Sequence, residues 1–271
     1  VIYNSINPII LINSINQMRP LVGHLEAGLR SNDRTMPEEI NRLVTDSIAD
    51  ILWTPSPDGD ENLIREGVPA EKICCVGNIM IDSLEMLRDR IQNKADGCEH
   101  GFESGNYGVV TLHRPSNVDD PETLRRLSRT LIELSDQLPM VFPVHPRTRK
   151  NIENAGLDRE LAGAVNLTLL EPVSYQKFMS LVFNCRLAIT DSGGIQEETS
   201  YLGIPCLTLR PNTERPVTIT QGTNKLCTVD DLAETVSQIL AGPARIPCRI
   251  DLWDGHTSDR VVRSIRNIFK I

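Results

Sequence analysis

The stretch TDSGGIQEE, residues 190–198, places two adjacent glycines and two glutamates directly after an apolar run that is typical of a buried strand. Backbone amides at the start of a following helix favour an anion such as a phosphate, and Gly193 and Gly194 would let it approach closely. One of the carboxylates Glu197 and Glu198 could accept hydrogen bonds from ribose hydroxyls, although the simpler interpretation is that both complement the helix dipole. The predicted strand, the two glycines and the nearby glutamates together indicate a nucleotide-binding site.

A second group of candidate residues lies in HLEAGLRSNDRTMPEEINR, residues 24–42. Thr35 and Glu38 have the spacing of a capping box, and Glu38 with Arg42 forms an i, i+4 pair, so a purely structural account of a helix start exists. That account leaves Glu26, which directly follows a predicted strand, unexplained. Two neighbouring carboxylates in different environments would form an acid and base pair, so Glu26 and Glu38 are candidate proton-transfer groups.

Two histidine–arginine pairs also follow predicted strands. His113 and Arg114 stand in TLHRPSN, and His145 and Arg147 stand in VFPVHPRTRKN. A single histidine in such a place is more often structural than catalytic. Two such pairs at one edge of a sheet, in a chain that is acidic overall, favour phosphate contacts.

The segment LRPNTERPVTITQGTNKL, residues 209–226, carries several charged residues after another predicted strand. Its prolines stiffen the loop, and Glu214 and Arg215 lie between them. The loop could close over a sugar or a base, and an ordinary surface loop explains the pattern equally well.

The elements that position these residues follow from hydrophobic periodicity. From about residue 107 onward, short β-branched runs alternate with segments of helical period, which predicts a doubly wound α/β domain with a parallel sheet. Ligands of such sheets bind beyond the carboxyl ends of the strands, where the candidate residues stand. The first hundred residues repeat the pattern less completely, with predicted strands over 21–25, 51–54 and 72–76 and predicted helices over 37–48, 56–66 and 81–91.

A domain boundary is predicted in the loop over residues 92–106, which is rich in glycine, asparagine and charge and has no clear period. We therefore expect two domains. Residues 1–95 would form a domain that carries the acid and base carboxylates. Residues 96–271 would form a nucleotide-binding domain that ends in a helix.

Composition limits the class of protein. A length of 271 residues with 40% hydrophobic content supports two domains of ordinary size. The net charge of −8 argues against nucleic acid or an anionic membrane as a partner, and no apolar run approaches the ~20 residues of a membrane span. Seven cysteines without zinc-type spacing fit free thiols in a reducing cytosol, so we expect a cytoplasmic protein without a metal site.

In this order, the motifs HLEAGLRS, MPEEINR, VGNIMIDSL, VTLHRPSNVD, PVHPR, TDSGGIQEE and NTERPVT resemble the non-hydrolysing UDP-N-acetylglucosamine (UDP-GlcNAc) 2-epimerases of bacteria. The resemblance runs from about residue 21 to the C-terminus. It implies two Rossmann-like domains of GT-B type facing across a cleft. It also implies interconversion of UDP-GlcNAc and UDP-N-acetylmannosamine without metal or redox cofactor, for cell-surface polysaccharide biosynthesis, and we expect a homodimer.

The resemblance implies a role for each matching residue. Those that would bind substrate are Ser192, Gly193 and Gly194 at the diphosphate, Glu198 at the ribose, Arg114 and His145 at phosphate or at a second, allosteric UDP-GlcNAc, and Arg215 near the cleft. Those that would take part in catalysis are Glu26 and Glu38 as acid and base, Arg42 to orient them, and His113 beside the sugar and the diphosphate.

The implied reaction first breaks the bond from C1 of the sugar to oxygen and expels UDP. The oxocarbenium-like centre at C1 acidifies C2, and a carboxylate removes the C2 proton to give 2-acetamidoglucal. UDP then returns to C1 while a proton arrives on the other face of C2. Glycine amides and arginines would stabilise the leaving diphosphate, and a closed site would exclude water.

The chain departs from the family at its start, since residues 1–19 match no part of the family's first half. We therefore expect an incomplete N-terminal domain, weak UDP binding and poor epimerisation. Three alternatives stay open: a GT-B glycosyltransferase, a hydrolysing 2-epimerase and a non-catalytic UDP-sugar-binding remnant. A glycosyltransferase would not need Glu26 and Glu38 as a proton-transfer pair.

Overall fold

The computed structural model of this chain describes residues 9–12, 20–92 and 101–270. Its contacts divide the chain into two compact units. Unit N holds the described residues of Ile2–Met86, Thr213–Thr220 and Arg249–Ile271, and unit C holds those of Leu87–Asn212 and Gln221–Cys248.

The described residues form ten strands and twelve α-helices. The strands are β1 (Ile9–Ile12), β2 (Leu21–Leu25), β3 (Ile51–Thr54), β4 (Ile73–Cys75), β5 (Gly108–Thr111), β6 (Met140–Pro143), β7 (Leu167–Leu170), β8 (Leu187–Thr190), β9 (Cys206–Thr208) and β10 (Asn224–Leu226). The helices are α1 (Pro37–Ile48), α2 (Pro57–Arg65), α3 (Ile79–Gln92), α4 (Pro115–Val118), α5 (Pro121–Ser135), α6 (Pro146–Asn154), α7 (Asp158–Ala162), α8 (Tyr175–Asn184), α9 (Gly193–Leu202), α10 (Val217–Thr220), α11 (Leu232–Ala241) and α12 (Thr257–Phe269).

The sheet of unit N has the order β1-β2-β3-β4. Strands β2, β3 and β4 are parallel, because α1 and α2 form the crossovers between them. Strand β1 pairs with β2 in the antiparallel direction, with Ile9 opposite His24 and Ile12 opposite Leu21. The loop that follows β2 therefore leaves the sheet at the carboxyl edge of its parallel part.

The sheet of unit C is parallel throughout and has the order β10-β9-β8-β5-β6-β7. The chain fills one side of the sheet from β5 to β7, then returns to β8 beside β5 and fills the other side. The order of strands thus reverses between β5 and β8, which makes the crevice at their carboxyl ends the expected ligand site of a doubly wound sheet.

Each unit has its own apolar core. In unit C, α5 packs on the sheet through Leu127, Leu131 and Leu134, which are buried at helical spacing. In unit N, Trp53 of β3 is fully buried against Val261 of α12, and its indole Nε1 donates to Ser264 Oγ at 3.0 Å. The C-terminal helix is therefore part of the core of unit N.

The sequence predicted most of these elements, and α1, β2 and β3 have the predicted bounds. Strand β1 and helices α4, α6, α7 and α10 were not predicted. Helices α4, α7 and α10 have only four or five residues each, and α6 lies in PRTRKNIEN, where charges outnumber apolar residues and no apolar period is visible. Residues 93–100 of the predicted boundary loop lie outside the described residues, as do residues 1–8 and 13–19. The observed units differ from a division at residue 95, because α12 and residues 213–220 belong to unit N.

Among the helices that the structure describes, none has both the length and the apolar character needed to cross a bilayer. The described cysteines are free thiols: Cys74, Cys75, Cys185, Cys206, Cys227 and Cys248. Burial raises the pKa of Cys185 to about 12, so that thiol stays protonated and packs as a small apolar side chain.

Candidate functional site

The turn between β8 and α9, residues 191–194, is here called the glycine turn. Ser192 is the N-cap of α9, and its amide donates to Thr190 Oγ1 at 2.9 Å. The amides of the first turn of α9 have no acceptor within the helix, and the helix dipole adds positive potential there. A methyl group built on Gly194 would meet no heavy atom of the described residues within 4 Å outside its own turn. The fold itself therefore leaves room beside this glycine.

Asp191, the first residue of the glycine turn, is fully buried and gathers the loop that follows β5. Its carboxylate accepts hydrogen bonds from the amides of His113 at 3.0 Å and Arg114 at 2.9 Å, and from Asn117 Nδ2 at 3.1 Å. Arg114 Nε donates in return to the backbone oxygen of Asp191 at 2.9 Å. Two loops that are far apart in sequence are thus locked together at the point where the strand order reverses.

The same carboxylate orients the His113 ring, whose Nδ1 lies 3.0 Å from Asp191 Oδ1. Burial by itself raises the pKa of Asp191, but the hydrogen bond and charge of His113 and the Arg114 amide outweigh it, so the pKa is lowered. An ionised carboxylate only accepts hydrogen bonds, and His113 Nδ1 must therefore donate. The half-exposed imidazole is held in one orientation.

The second predicted histidine lies beside the first, since the ring centroids of His113 and His145 are 5.6 Å apart. His145 caps α6, and its Nδ1 accepts a hydrogen bond from the amide of Arg147 at 3.2 Å. Burial and the neighbouring His113 lower the pKa of His145. Arg147 instead forms a two-point salt bridge with Asp119, which gives this arginine a structural partner.

Glu198 lies in the second turn of α9 and is buried. Its Oε1 accepts a hydrogen bond from the hydroxyl of Tyr175, the first residue of α8, at 2.6 Å. Burial raises the pKa of Glu198 to about 8, although the Tyr175 hydroxyl opposes the shift. With this pKa the carboxyl group is mostly protonated at neutral pH, so it can both donate and accept hydrogen bonds.

In unit N, Glu26 begins the turn after β2, residues 26–31, which is here called the Glu26 turn. Glu26 is half-buried and has a left-handed backbone conformation with φ of 67°. Such a conformation is unfavourable for a residue with a side chain and persists only where the surroundings enforce it. The amide of Ala27 donates to Trp53 O at 3.0 Å, and a methyl group at Gly28 would lie 2.3 Å from Gly59 O. Main-chain contacts thus fix the turn on both sides.

The buried carboxylate of Asp46, on the inner face of α1, supports the Glu26 turn from below. Its oxygens lie 3.2 Å from the Gly28 amide, 2.7 Å from Arg30 Nη2 and 2.5 Å from His24 Nδ1. Glu66 binds the same guanidinium with two hydrogen bonds of 2.7 Å. Asp46 therefore contacts residues on both sides of Glu26 without touching the Glu26 side chain itself.

Arg42 lies one turn earlier on the same face of α1 and is 4% exposed. Its Nη2 lies 3.7 Å from Glu214 Oε1, and that oxygen accepts a hydrogen bond from Arg215 Nη1 at 2.6 Å. Burial lowers the pKa of Arg42, and the positive charge of Arg215 adds to this, while Glu214 and Glu26 oppose it. Unit N therefore brings together three of the predicted residues, Glu26, Arg42 and Arg215.

Glu38 occupies the second position of α1 and is half-buried. The predicted capping box is wrong, because Met36 is the N-cap of α1 and the amide and hydroxyl of Thr35 donate to Asp33 Oδ1 instead. The buried acid at the start of α1 is Glu39, which accepts hydrogen bonds from the amides of residues 31 and 32 at 2.8 and 3.0 Å. Glu39 thus closes the far end of the loop that begins at Glu26.

Sequence reasoning did not select Asp46, Asp191 or Tyr175. Asp191 directly follows a strand, so the rule that selected the histidines would have found it. Asp46 carries a weaker signal, because it shares helical spacing with Glu39 and Arg42 and thereby forms a polar stripe on α1. Tyr175 has no signal in the sequence, since its distance from Glu198 depends on the packing of α8 against α9.

Within the described parts of the chain, no group of three or more histidine, cysteine, aspartate or glutamate side chains has an arrangement that could hold a metal ion. Two acids, Asp46 and Glu66, do lie near each other, but Arg30 lies between them and forms a salt bridge with each. The groups that the structure offers to a ligand are backbone amides, imidazoles, guanidinium groups and carboxylates. These groups are suited to binding a phosphate and to transferring protons.

Removing the negative charge of Asp46 is expected to destabilise unit N. An Asp46→Asn variant leaves Arg30 and His24 buried without their shared carboxylate, so the free energy of unfolding should fall by about 3 kcal/mol. Urea unfolding measures this, with the exposed Asp251→Asn as a matched control expected within about 0.5 kcal/mol of the unmodified protein. Equal stability of the two variants would contradict the role assigned to Asp46.

Comparison with known proteins places this geometry in a family. A family model described as UDP-N-acetylglucosamine 2-epimerase matches residues 16–266. A UDP-N-acetylglucosamine 2-epimerase of Methanocaldococcus jannaschii is 42% identical over 212 residues, which are 76% of this chain and 57% of that protein. A UDP-2,3-diacetamido-2,3-dideoxy-D-glucuronate 2-epimerase of Pseudomonas aeruginosa is 39% identical over 209 residues, 76% of this chain and 56% of that protein. The chain thus spans little more than half the length of these two relatives.

A solved structure from the same family has a similar fold. The crystal structure of the M. jannaschii UDP-GlcNAc 2-epimerase in complex with UDP-GlcNAc and UDP superposes with a TM-score of 0.81 at 37% identity. The match covers 90% of this chain and 68% of that one. The predicted fold class, Rossmann-like domains of GT-B type, is confirmed. With a family model that matches most of its length, this chain belongs to the UDP-N-acetylglucosamine 2-epimerase family.

Proposed function

We propose that this protein reversibly epimerises C2 of UDP-N-acetylglucosamine, with UDP-N-acetylmannosamine as the product. The observation that carries the proposal is the glycine turn, where the start of a helix, an open space beside Gly194 and the buried Glu198 follow one strand. Membership of the family and the relative solved with UDP-GlcNAc and UDP support it.

The proposal assigns UDP to unit C. The diphosphate lies at Ser192, Gly193 and Gly194, where the helix dipole favours negative charge, and the glycine amides are the donors because the Ser192 amide already bonds to Thr190 Oγ1. The ribose hydroxyls bind Glu198, whose carboxyl group Tyr175 already orients. His113, held by Asp191, lies beside the bond that breaks, and Arg114 and His145 contact phosphate.

The proposal assigns proton transfer at C2 to unit N. UDP leaves first, because the C2 hydrogen becomes acidic only when C1 carries positive charge. Glu26 and Glu38 then act as base and acid on opposite faces of C2, with 2-acetamidoglucal as the intermediate. Nη1 of the buried Arg42 has no hydrogen-bond partner among the described residues, and a substrate oxygen would supply one. Arg215, which shares Glu214 with Arg42, adds positive charge there.

The remaining parts of the proposal concern partners and location. The active protein is a homodimer that needs no metal or redox cofactor. The alternative assignment of Arg114 and His145 is that they bind a second UDP-GlcNAc, an allosteric ligand, instead of the phosphate of the substrate. The free thiols of the described cysteines support a reducing compartment, the cytoplasm.

A second candidate function uses the same chemistry on another sugar. The P. aeruginosa relative is named for a UDP-linked glucuronate that carries two acetamido groups. Both enzymes are named as 2-epimerases, so the reaction at C2 is the same. The two candidate substrates differ at C3 and C6 of the sugar, and the protein groups that bind there would differ too. Turnover assays with both UDP-sugars distinguish them.

Replacing Gly194 tests the UDP site without harming the fold. In a Gly194→Ala variant the added methyl group meets open space, and the backbone φ is compatible with alanine, so stability should stay equal or rise by about 0.5 kcal/mol. The methyl group would occupy the space of the diphosphate, so the Kd for UDP in calorimetry should rise at least tenfold. Glu122→Ala, at the corresponding exposed position of α5, is the control and should bind UDP normally. Unchanged UDP affinity of Gly194→Ala would place UDP elsewhere.

Solvent hydrogen exchange tests the role of Glu26. In heavy water, incubation of UDP-GlcNAc with the protein should introduce deuterium at C2 and produce UDP-N-acetylmannosamine, both followed by NMR. Glu26→Gln should slow the exchange at least ~100-fold, since its amide cannot take the proton, and should leave UDP binding unchanged. The exposed Glu71→Gln serves as the control. Deuterium exchange at full rate in Glu26→Gln would remove this residue from the mechanism.

The raised pKa of Glu198 predicts that UDP binding depends on pH. Burial raises this pKa to about 8 without ligand, and ribose hydroxyls that donate to the carboxylate would lower it again. UDP binding should therefore release a proton from Glu198 near pH 7, and affinity should rise with pH until about 8. Calorimetry in buffers of different ionisation enthalpy measures this proton, and Glu198→Gln should lack it. The same proton count in both proteins would show that Glu198 does not bind the ribose.

A further inference from the structure

A series of buried polar side chains in unit C leads to the glycine turn. Gln196, near the start of α9, donates from Nε2 to the backbone oxygen of Ser192 at 3.2 Å. Its Oε1 accepts a hydrogen bond from Asn224 Nδ2 at 3.0 Å, and Asn224 Oδ1 accepts one from the hydroxyl of Thr208 at 2.6 Å. The side chains of Thr208, Asn224 and Gln196 are here called the polar chain.

The polar chain joins three separate elements. Thr208 is the last residue of β9, Asn224 is the first residue of β10, and Gln196 lies on α9. Thr208 and Gln196 are fully buried, and Asn224 is 5% exposed. Buried polar groups are costly unless they are hydrogen-bonded, and these three satisfy one another. The last bond goes to the backbone of the glycine turn.

The hydrogen bonds of the polar chain all run in one direction. A backbone oxygen only accepts, so Gln196 must present its NH2 group to Ser192 and its own oxygen to Asn224. Asn224 must then present its NH2 group to Gln196 and its oxygen to Thr208, whose hydroxyl donates. Each donor in the polar chain therefore points toward the glycine turn.

The backbone oxygen of Ser192 passes this direction on to the amide of Gly193. Both groups belong to one planar trans peptide unit, in which the oxygen and the hydrogen point in opposite directions. The oxygen of an N-cap residue normally accepts the first hydrogen bond of its helix, and the Gln196 side chain adds a second donor. The amide hydrogen of Gly193 is thereby held pointing away from Gln196, out of the amino end of α9.

Hydrogen bonds that run in one direction also polarise one another. Each acceptor that receives a hydrogen bond makes the next N–H group of the same amide a stronger donor. The series from Thr208 to Ser192 therefore ends in a strengthened donor, the amide of Gly193. This amide lies where the diphosphate is proposed to bind.

We propose that Thr208, Asn224 and Gln196 are positioning residues for the leaving diphosphate, which orient and polarise the Gly193 amide without touching the ligand. The inference rests on the proposed binding of UDP at the glycine turn and deepens it. Negative charge builds up on the diphosphate as the bond from C1 to oxygen breaks. A donor that is already oriented and polarised stabilises that charge without further rearrangement.

Calorimetry of UDP binding tests the most distant member of the polar chain. Thr208→Val removes the first donor, so the Kd for UDP should rise about threefold. Thr208→Ser keeps a hydroxyl and should bind UDP as the unmodified protein does. The control is Thr223→Val, which removes a buried hydroxyl that donates to Ile204 O at 2.5 Å and lies outside the polar chain. This control should leave the Kd unchanged.

A second variant breaks the polar chain in the middle. Asn224→Leu keeps a branched side chain that neither donates nor accepts, so the Kd for UDP should rise about tenfold. Uridine, which has no phosphate, should bind this variant and the unmodified protein with the same Kd in an NMR titration. A general loosening of α9 would weaken uridine binding as well, because the proposed ribose ligand Glu198 lies on the same helix. The two ligands thus separate positioning from stability.

The double variant tests whether the three residues act as one unit. If polarity passes along the polar chain, Thr208→Val has no effect once Asn224→Leu has interrupted it. The double variant should then have the same Kd for UDP as Asn224→Leu alone. Residues that act independently would instead multiply their effects.

The outcomes separate the polar chain from the UDP site. Normal UDP binding by Thr208→Val, equal weakening of UDP and uridine in Asn224→Leu, or multiplied effects in the double variant would each overturn the proposal. If Gly194→Ala still weakens UDP binding, the UDP site stands and only the polar chain is wrong. If Gly194→Ala has no effect either, UDP binds elsewhere and both proposals fall. A loss confined to UDP supports the polar chain even where the epimerase assay shows no turnover.

Discussion

The Glu26 turn depends on one buried carboxylate, that of Asp46. Two features make the turn unfavourable by itself: Glu26 has a left-handed backbone, and Gly28 lies so close to Gly59 that no side chain fits. Asp46 compensates by accepting a hydrogen bond from the Gly28 amide and by binding both His24 and Arg30. Removal of water strengthens these contacts and also makes the loss of any partner costly. The position of the candidate base therefore follows from a salt-bridge network that does not itself contact the base.

In unit C a buried aspartate likewise holds a loop that carries candidate site residues. Asp191 is buried at the end of β8 and binds the amides and imidazole of the loop after β5. Short strands in a parallel sheet end in loops whose amides lack partners, and a carboxylate can satisfy several amides at once. In both units an aspartate that does not contact the reacting atoms thus holds the residues proposed to do so.

The sequence predicted the fold well, and it predicted candidate site residues without the side chains that hold them, which has a physical origin. Periodicity determined α1, β2 and β3 because each has a clear apolar or strand-like pattern. The strand-end rule selected His113, His145, Glu26 and the glycine turn as candidates. The rule did not identify the side chains that bind or hold these candidates. Tyr175 is close to Glu198, and Asp46 to the Glu26 turn, only because of tertiary packing. The capping box failed because Asp33, two residues before Thr35, captured its amide and hydroxyl.

The most direct measurement is a crystal structure of the chain with UDP. The account predicts that the diphosphate lies within hydrogen-bonding distance of the amides of the glycine turn, with the ribose hydroxyls on Glu198 and the His113 ring still held by Asp191. A UDP molecule bound away from the amino end of α9, with Glu198 still bonded only to Tyr175, would contradict it.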